Sequence, residues 1–217
     1  GCEDMGPGLG AAGAVVHYLE ETQKTSLEHI IKIQKDQIDN RVLMDRATQK
    51  SLELTQTIRT QDREGSLLGV IDQTKTPMGA RLLREWVVSP LRVSTDIKYR
   101  QIGVKELFEN SALRREFRDI LGNIYDMERI STKVSCARAN ARDLISLKQS
   151  LSKLPALKDK LTFCITDIFV CLEQQLDVLE EVRILIGTAL VPDPPPAIKD
   201  GGLIREGDDA SLDELRY

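Results

Sequence analysis

The chain has 217 residues, of which 41% are hydrophobic, 4% aromatic and 29% charged, with a formal net charge of −4. That length can enclose a sizeable core, and so few aromatic rings leave Leu, Ile, Val and Ala to fill it, which favours helices over a β-sandwich. The acidic balance argues against a dedicated nucleic-acid-binding domain, no apolar run reaches the roughly 20 residues of a membrane span, and Cys2, Cys136, Cys164 and Cys171 form no CxxC pair to suggest zinc or a disulfide framework.

A Gly-rich loop opens the chain. Leu9 to about Thr25 is expected to be helical, with Ala11, Val15, Val16 and Leu19 on one face. Gly8, Gly10 and Gly13 spell GxGxxG, but no strand precedes them and no acidic residue follows at the required distance, so a small-residue packing face is the better reading. His17 and His29 have no other metal-ligand type arranged around them. Ile31, Ile33, Ile38, Val42 and Met44 alternate loosely and predict a short extended or β segment near residues 31–44. Asp45 is placed to cap the helix that follows, ATQKSLELT.

The densest local signals lie between Asp62 and Pro90, with the only tryptophan, Trp86. Ser66 can cap a short helix from Leu67 to Ile71. Thr76 caps the next, Pro77 takes the first helical position, where a missing N–H costs nothing, and Ser89-Pro90 stops it. Met78, Leu82, Leu83, Trp86 and Val87 fall on one side. An αα-hairpin is expected, with Trp86, Leu82 and Pro90 as a hub of the packing.

After Pro90 the pattern is a series of amphipathic helices. Ser94 or Thr95 is expected to cap the first, with Ile97, Gln101, Val104 and Phe108 as its stripe. Ser111 is expected to cap the second, with Leu113, Phe117, Ile120 and Leu121 inward and Gly122-Asn123 at its end. Asp126 starts a third, striped by Met127, Ile130, Val134 and Ala137. Asn140 caps a fourth, striped by Leu144, Leu147, Leu151 and Leu154. From Pro155 a helix is expected to run to about Leu190 with one break near Leu176-Asp177. The run PDPPP, Pro192 to Pro196, is a stiff turn, and a last helix opens at Ala210 or Ser211.

No catalytic arrangement emerges. The sequence contains no Gly-Lys pair, hence no GxxxxGK[ST] phosphate loop, and neither GxSxG nor HExxH. Paired acids such as Glu20-Glu21, Glu180-Glu181 and Asp208-Asp209 read as solvated faces. Arginine clusters, Arg81 with Arg84, Arg114 with Arg115 and Arg118, and Arg138 with Arg142, provide the candidate DNA contacts, with Arg81, Arg84, Arg114, Arg115 and Arg138 first among them. Glu85, Glu116 and Asp119 sit among them, so local ion pairs compete with that role.

In order along the chain, DREGSLLGVID, TPMGARLLREWVVSPL, Tyr125-Asp126-Met127-Glu128-Arg129, Arg138-Ala139-Asn140-Ala141-Arg142-Asp143-Leu144, Gly201-Gly202-Leu203-Ile204-Arg205-Glu206-Gly207 and Leu212-Asp213-Glu214-Leu215-Arg216 resemble the core of the bacterial MutS family of DNA mismatch-repair ATPases. The resemblance implies a mainly α fold. Residues 1–30 would be the last helix of a connector domain plus a linker, 31–200 a helical core domain, and 201–217 the start of a lever helix leading to a DNA clamp. It also implies an excised fragment of a cytoplasmic, homodimeric parent that acts on mismatched double-stranded DNA with a MutL-type partner. ATP and Mg²⁺ would bind outside this chain, which would have no enzymatic, cofactor or metal site of its own. The function implied is mechanical, linking ATPase and clamp. The alternatives are an autonomous DNA-binding helical module that uses the arginines, and a helical adaptor for a protein partner.

Overall fold

The computed structural model describes residues 6–23, 30, 40–196 and 198–215. The chain divides into two compact units, Gly1–Arg41 and Val42–Tyr217. The first contributes helix α1 (Pro7–Gln23). Most of the expected extended segment, residues 31–39, lies outside the described residues, as do Cys2 and His29. Residues 42–45 form no regular element, although the Val42 amide donates to the Pro90 carbonyl at 2.8 Å.

The second unit is helical: α2 (Arg46–Ser51), α3 (Leu67–Ile71), α4 (Pro77–Val88), α5 (Ser94–Glu109), α6 (Ser111–Leu121), α7 (Met127–Ser135), α8 (Ala141–Leu151), α9 (Leu154–Leu161), α10 (Asp167–Gln175), α11 (Glu180–Ala189) and α12 (Ala210–Glu214). Side-chain caps place most of the starts. Asp45 Oδ1 accepts from the Thr48 amide at 2.8 Å, Ser66 Oγ from Gly69 at 3.1 Å, and Thr76 Oγ1 from Gly79 at 3.0 Å. Asn140 and Asp143 form a reciprocal capping box on α8. Two expected caps move. Asn110, not Ser111, caps α6, accepting from the Leu113 amide at 3.1 Å, and α5 begins at Ser94 with no side-chain cap.

Three apolar clusters run through α6 to α11. Leu113, Phe117, Leu161 and Cys164 form the first, Ile124, Leu151 and Leu154 the second, and Ala141, Ile145, Ile186 and Leu190 the third. Leu157 packs against the first and second, and Leu147 against the second and third, so the clusters join into one seam. Buried Ser150 donates its hydroxyl to the Ser146 carbonyl and accepts the Tyr125 amide, both at 2.9 Å, tying the α6–α7 turn to α8.

Two stretches differ from expectation. The α5 stripe faces the other way: Val104 and Phe108 are 67% and 76% exposed, while the inward face carries Gly103 and Leu107. The small inward residue admits α10 closely and leaves no apolar signal in the sequence. A second break, at residues 162–166, also separates α9 from α10. Its cause is tertiary: Glu106 on α5 accepts from the Ile165 amide at 2.6 Å and from the Thr166 amide at 3.1 Å, replacing helical partners. The break after α10 falls at Leu176, as expected.

The PDPPP turn packs inward. Pro194 is fully buried, and Arg142 Nε donates to its carbonyl at 2.9 Å. Beyond it, Leu190 and Ile204 form an isolated antiparallel bridge, and Arg205 Nε donates to the Leu190 carbonyl at 2.7 Å.

Candidate functional site

Residues 45–88 make a small module. Leu67 and Leu68 donate their amides to the carbonyls of Glu53 and Leu54, closing a loop over the start of α3. Leu54, Leu68 and Ser66 are its buried residues, and Ser66 Oγ also donates to the Arg63 carbonyl at 2.6 Å. Arg63 and Asp72 pair across the module, and Asp72 Oδ1 accepts from the Thr74 amide at 2.9 Å. No room remains for a side chain at Gly69, where a Cβ would lie 2.2 Å from the Arg63 carbonyl oxygen.

The site of interest is the seam between this module and the helices after Pro90. Arg81 on α4 grips the start of α7. Its Nη1 and Nη2 donate to Asp126 Oδ2 and Oδ1 at 2.8 and 2.7 Å, and its Nε donates to Glu128 Oε2 at 3.1 Å. This is a bidentate carboxylate clip, the geometry that guanidinium makes best. The Arg81 guanidinium holds the Asp126 carboxyl below the usual aspartate range, and Asp126 in turn raises the Arg81 pKa. Asp126 also caps α7, accepting from the Arg129 amide at 3.2 Å. Arg118 Nη1 reaches across to the Gln73 carbonyl at 3.0 Å. The Arg100 guanidinium lies 3.7 Å from the centre of the Trp86 ring. Met78 packs against the cluster of Ile124, Leu151 and Leu154.

The expected hub is therefore displaced. Leu82 is 47% exposed, Trp86 and Pro90 are half-buried, and none of the three belongs to the apolar clusters. Packing centres instead on Leu151, 2% exposed, and Leu154. The reason is that α4 turns its apolar side to a narrow seam and leaves α4 with no buried residue.

The candidate DNA contacts split into two groups. Arg81 is held by two carboxylates, and Arg114 Nη1 donates to the Leu107 and Phe108 carbonyls at 2.6 and 2.9 Å, closing the C-terminal end of α5. Arg84, Arg115 and Arg138 are exposed, with no side-chain ion pair among the described residues, and they stand on or beside three different helices. Sequence reasoning missed Arg100, Arg118, Asp126 and Glu128 as seam residues. Arg81 and Asp126 are 45 positions apart, so no local spacing reports them. Among the described residues no group of three or more His, Cys, Asp or Glu could hold a metal, and no helix is long and apolar enough to cross a membrane.

The seam joins the 45–88 module to the later helices largely through charged side chains. Residues 47–216 match the family model for MutS domain III. The chain belongs to the MutS family. It is 44% identical over 208 residues to the DNA mismatch repair protein MutS of Acetivibrio thermocellus, covering 96% of this chain and 24% of that protein. The MutS protein of Halothermothrix orenii is 43% identical over 216 residues and that of Salinibacter ruber 41%, each covering 100% of this chain and 24% of the relative. The chain thus spans about a quarter of the length of the curated relatives it matches, and the MutS domain III match falls within the second compact unit.

Proposed function

We propose that this chain is the coupling core of a mismatch-repair ATPase, joining the part that hydrolyses nucleotide to the clamp that holds DNA. The observation that carries this reading is the continuous apolar seam, in which Leu157 and Leu147 each bridge two clusters. Close-packed side chains pass on a displacement rather than absorb it. The internal use of Arg81, Arg114, Arg118 and Arg142 supports the same reading, because those cations hold the fold together instead of facing a duplex.

In this reading the chain is not itself an enzyme. ATP and Mg²⁺ bind elsewhere in the parent, since no Gly-Lys pair exists here to build a phosphate loop. Mismatched double-stranded DNA is recognised by other parts, and the parent works in the cytoplasm as a homodimer with a MutL-type partner.

Fluorescence anisotropy of a labelled duplex, matched and mismatched, tests the reading. Weak binding, abolished by moderate salt and blind to the mismatch, is expected. Tight binding that persists in moderate salt and falls on removing Arg84, Arg115 or Arg138 would make the chain an autonomous DNA-binding module instead.

A further inference from the structure

Helices α6 to α11 are sewn together by buried apolar side chains, and the 45–88 module is not sewn to them in the same way. Its helix α4 packs on α3 and on no other helix to that degree. Met78 is the module's one member of the three clusters. Charged contacts across the seam are made by guanidinium groups: Arg81 to Asp126 and Glu128, Arg118 to the Gln73 carbonyl, and Arg100 over Trp86. Inside the module the contacts are of a different kind, with Ser66, Leu54 and Leu68 buried and Arg63 paired to Asp72. The module is thus coherent within itself and is attached mainly by charge.

We propose that this seam is an electrostatic hinge, on which the 45–88 module docks and swings as one piece, with Arg81 as its clip. Arg81 is a positioning residue, and its route into the body is short. Asp126 caps α7, and the neighbouring Tyr125 amide is held by the buried Ser150 hydroxyl of α8. Breaking the clip therefore frees the module without opening the apolar seam. The contacts are half-exposed, with the Arg81 side chain at 49% and Asp126 at 19%, so salt screens them over a distance of about 8 Å at physiological strength. That this motion serves coupling rests on the function proposed above; the hinge itself does not.

Trp86 lies on the seam and is the only tryptophan, so its fluorescence reads docking directly in the intact chain. Two variants remove the clip from opposite sides: Arg81→Gln, and Asp126→Asn with Glu128→Gln. Asparagine keeps the α7 cap. Each is expected to raise acrylamide quenching of Trp86 about twofold at low salt, the response of a docking equilibrium that loses a half-exposed clip. The unaltered chain should approach the same quenching as NaCl rises from about 0.05 to about 1 M, while both variants stay flat. Helical circular dichroism should hold in all three. Quenching unchanged in both variants would overturn the hinge. So would a response confined to the Asp126→Asn, Glu128→Gln pair, since a broken clip must show equally when Arg81 is removed. Neither result bears on the duplex titration, so the two proposals fail separately.

Discussion

Gly103 of α5 and Ile168 of α10 approach so closely that a Cβ on the glycine would lie 2.6 Å from Ile168 Cγ2. This contact sets the distance between the two helices. A helical Gly→Ala change ordinarily gains about 1 kcal/mol. Here the overlap outweighs it, and Gly103→Ala should destabilise the chain by about 1–3 kcal/mol in a urea melt. In an Ile168→Ala background the same substitution should become stabilising, because the obstructing methyl is gone. A stabilising Gly103→Ala in the unaltered chain would mean that the helices part easily.

Leu151 and Trp86 should separate by the same method. Leu151 is 2% exposed at the centre of the middle cluster, so Leu151→Ala should cost about 3–5 kcal/mol. Trp86 is half-buried under Arg100, and Trp86→Ala should cost only about 1–2 kcal/mol, less than a fully enclosed ring. A reversed order would restore Trp86 as the hub.

Acid should act through carboxylates held by partners, among them Asp126, Asp143 and Glu106 between the helices. Arg81 holds Asp126 below the ordinary 3.8, and the Lys133 ammonium, 2.7 Å away, does the same for Asp143. For Glu106 burial pushes upward, but the Thr166 hydroxyl and the Ile165 and Thr166 amides outweigh it, so its pKa falls below 4.5. Depressed carboxyl pKa values stabilise fully above the unfolded values and lose that contribution as pH falls through the folded ones. The urea midpoint should therefore be level from neutral pH down to about 5 and decline below about 4. Asp126→Asn should flatten part of that decline.

The thiols should react in an order set by burial. Enclosure, and then the nearby Glu106 charge, push Cys164 up to about 11, leaving roughly a thousandth of it as thiolate at pH 8. Cys171 is exposed. Mass mapping after brief thiol-reagent treatment at pH 8 should find Cys171 modified and Cys164 protected until urea is added. Equal rates would show that the α6–α9 core opens readily.

Local signals in the sequence carried far. Asp45, Ser66, Thr76, Asp126 and Asn140 were legible as caps because a cap involves residues three apart. Asn110 was hidden by an equally good capper, Ser111, one position on. The inward face of α5 was illegible because a glycine makes it. The break at 162–166 was illegible because its cause, Glu106, sits about sixty positions earlier. The arginines were legible as clusters but not as clips, since Arg81, Arg118 and Arg142 find partners 45 to 52 positions away. The family motifs reached past these limits, because they record the whole arrangement at once.

The leucines held in common by neighbouring clusters have a kinetic consequence. Loosening one cluster exposes Leu147 or Leu157, and that withdraws support from the next. Amides of α6, α8, α9 and α11 should then exchange with deuterium through a single large opening, as one foldon, and their protection should form a plateau rather than a staircase. A core built this way keeps its register until it loses it everywhere.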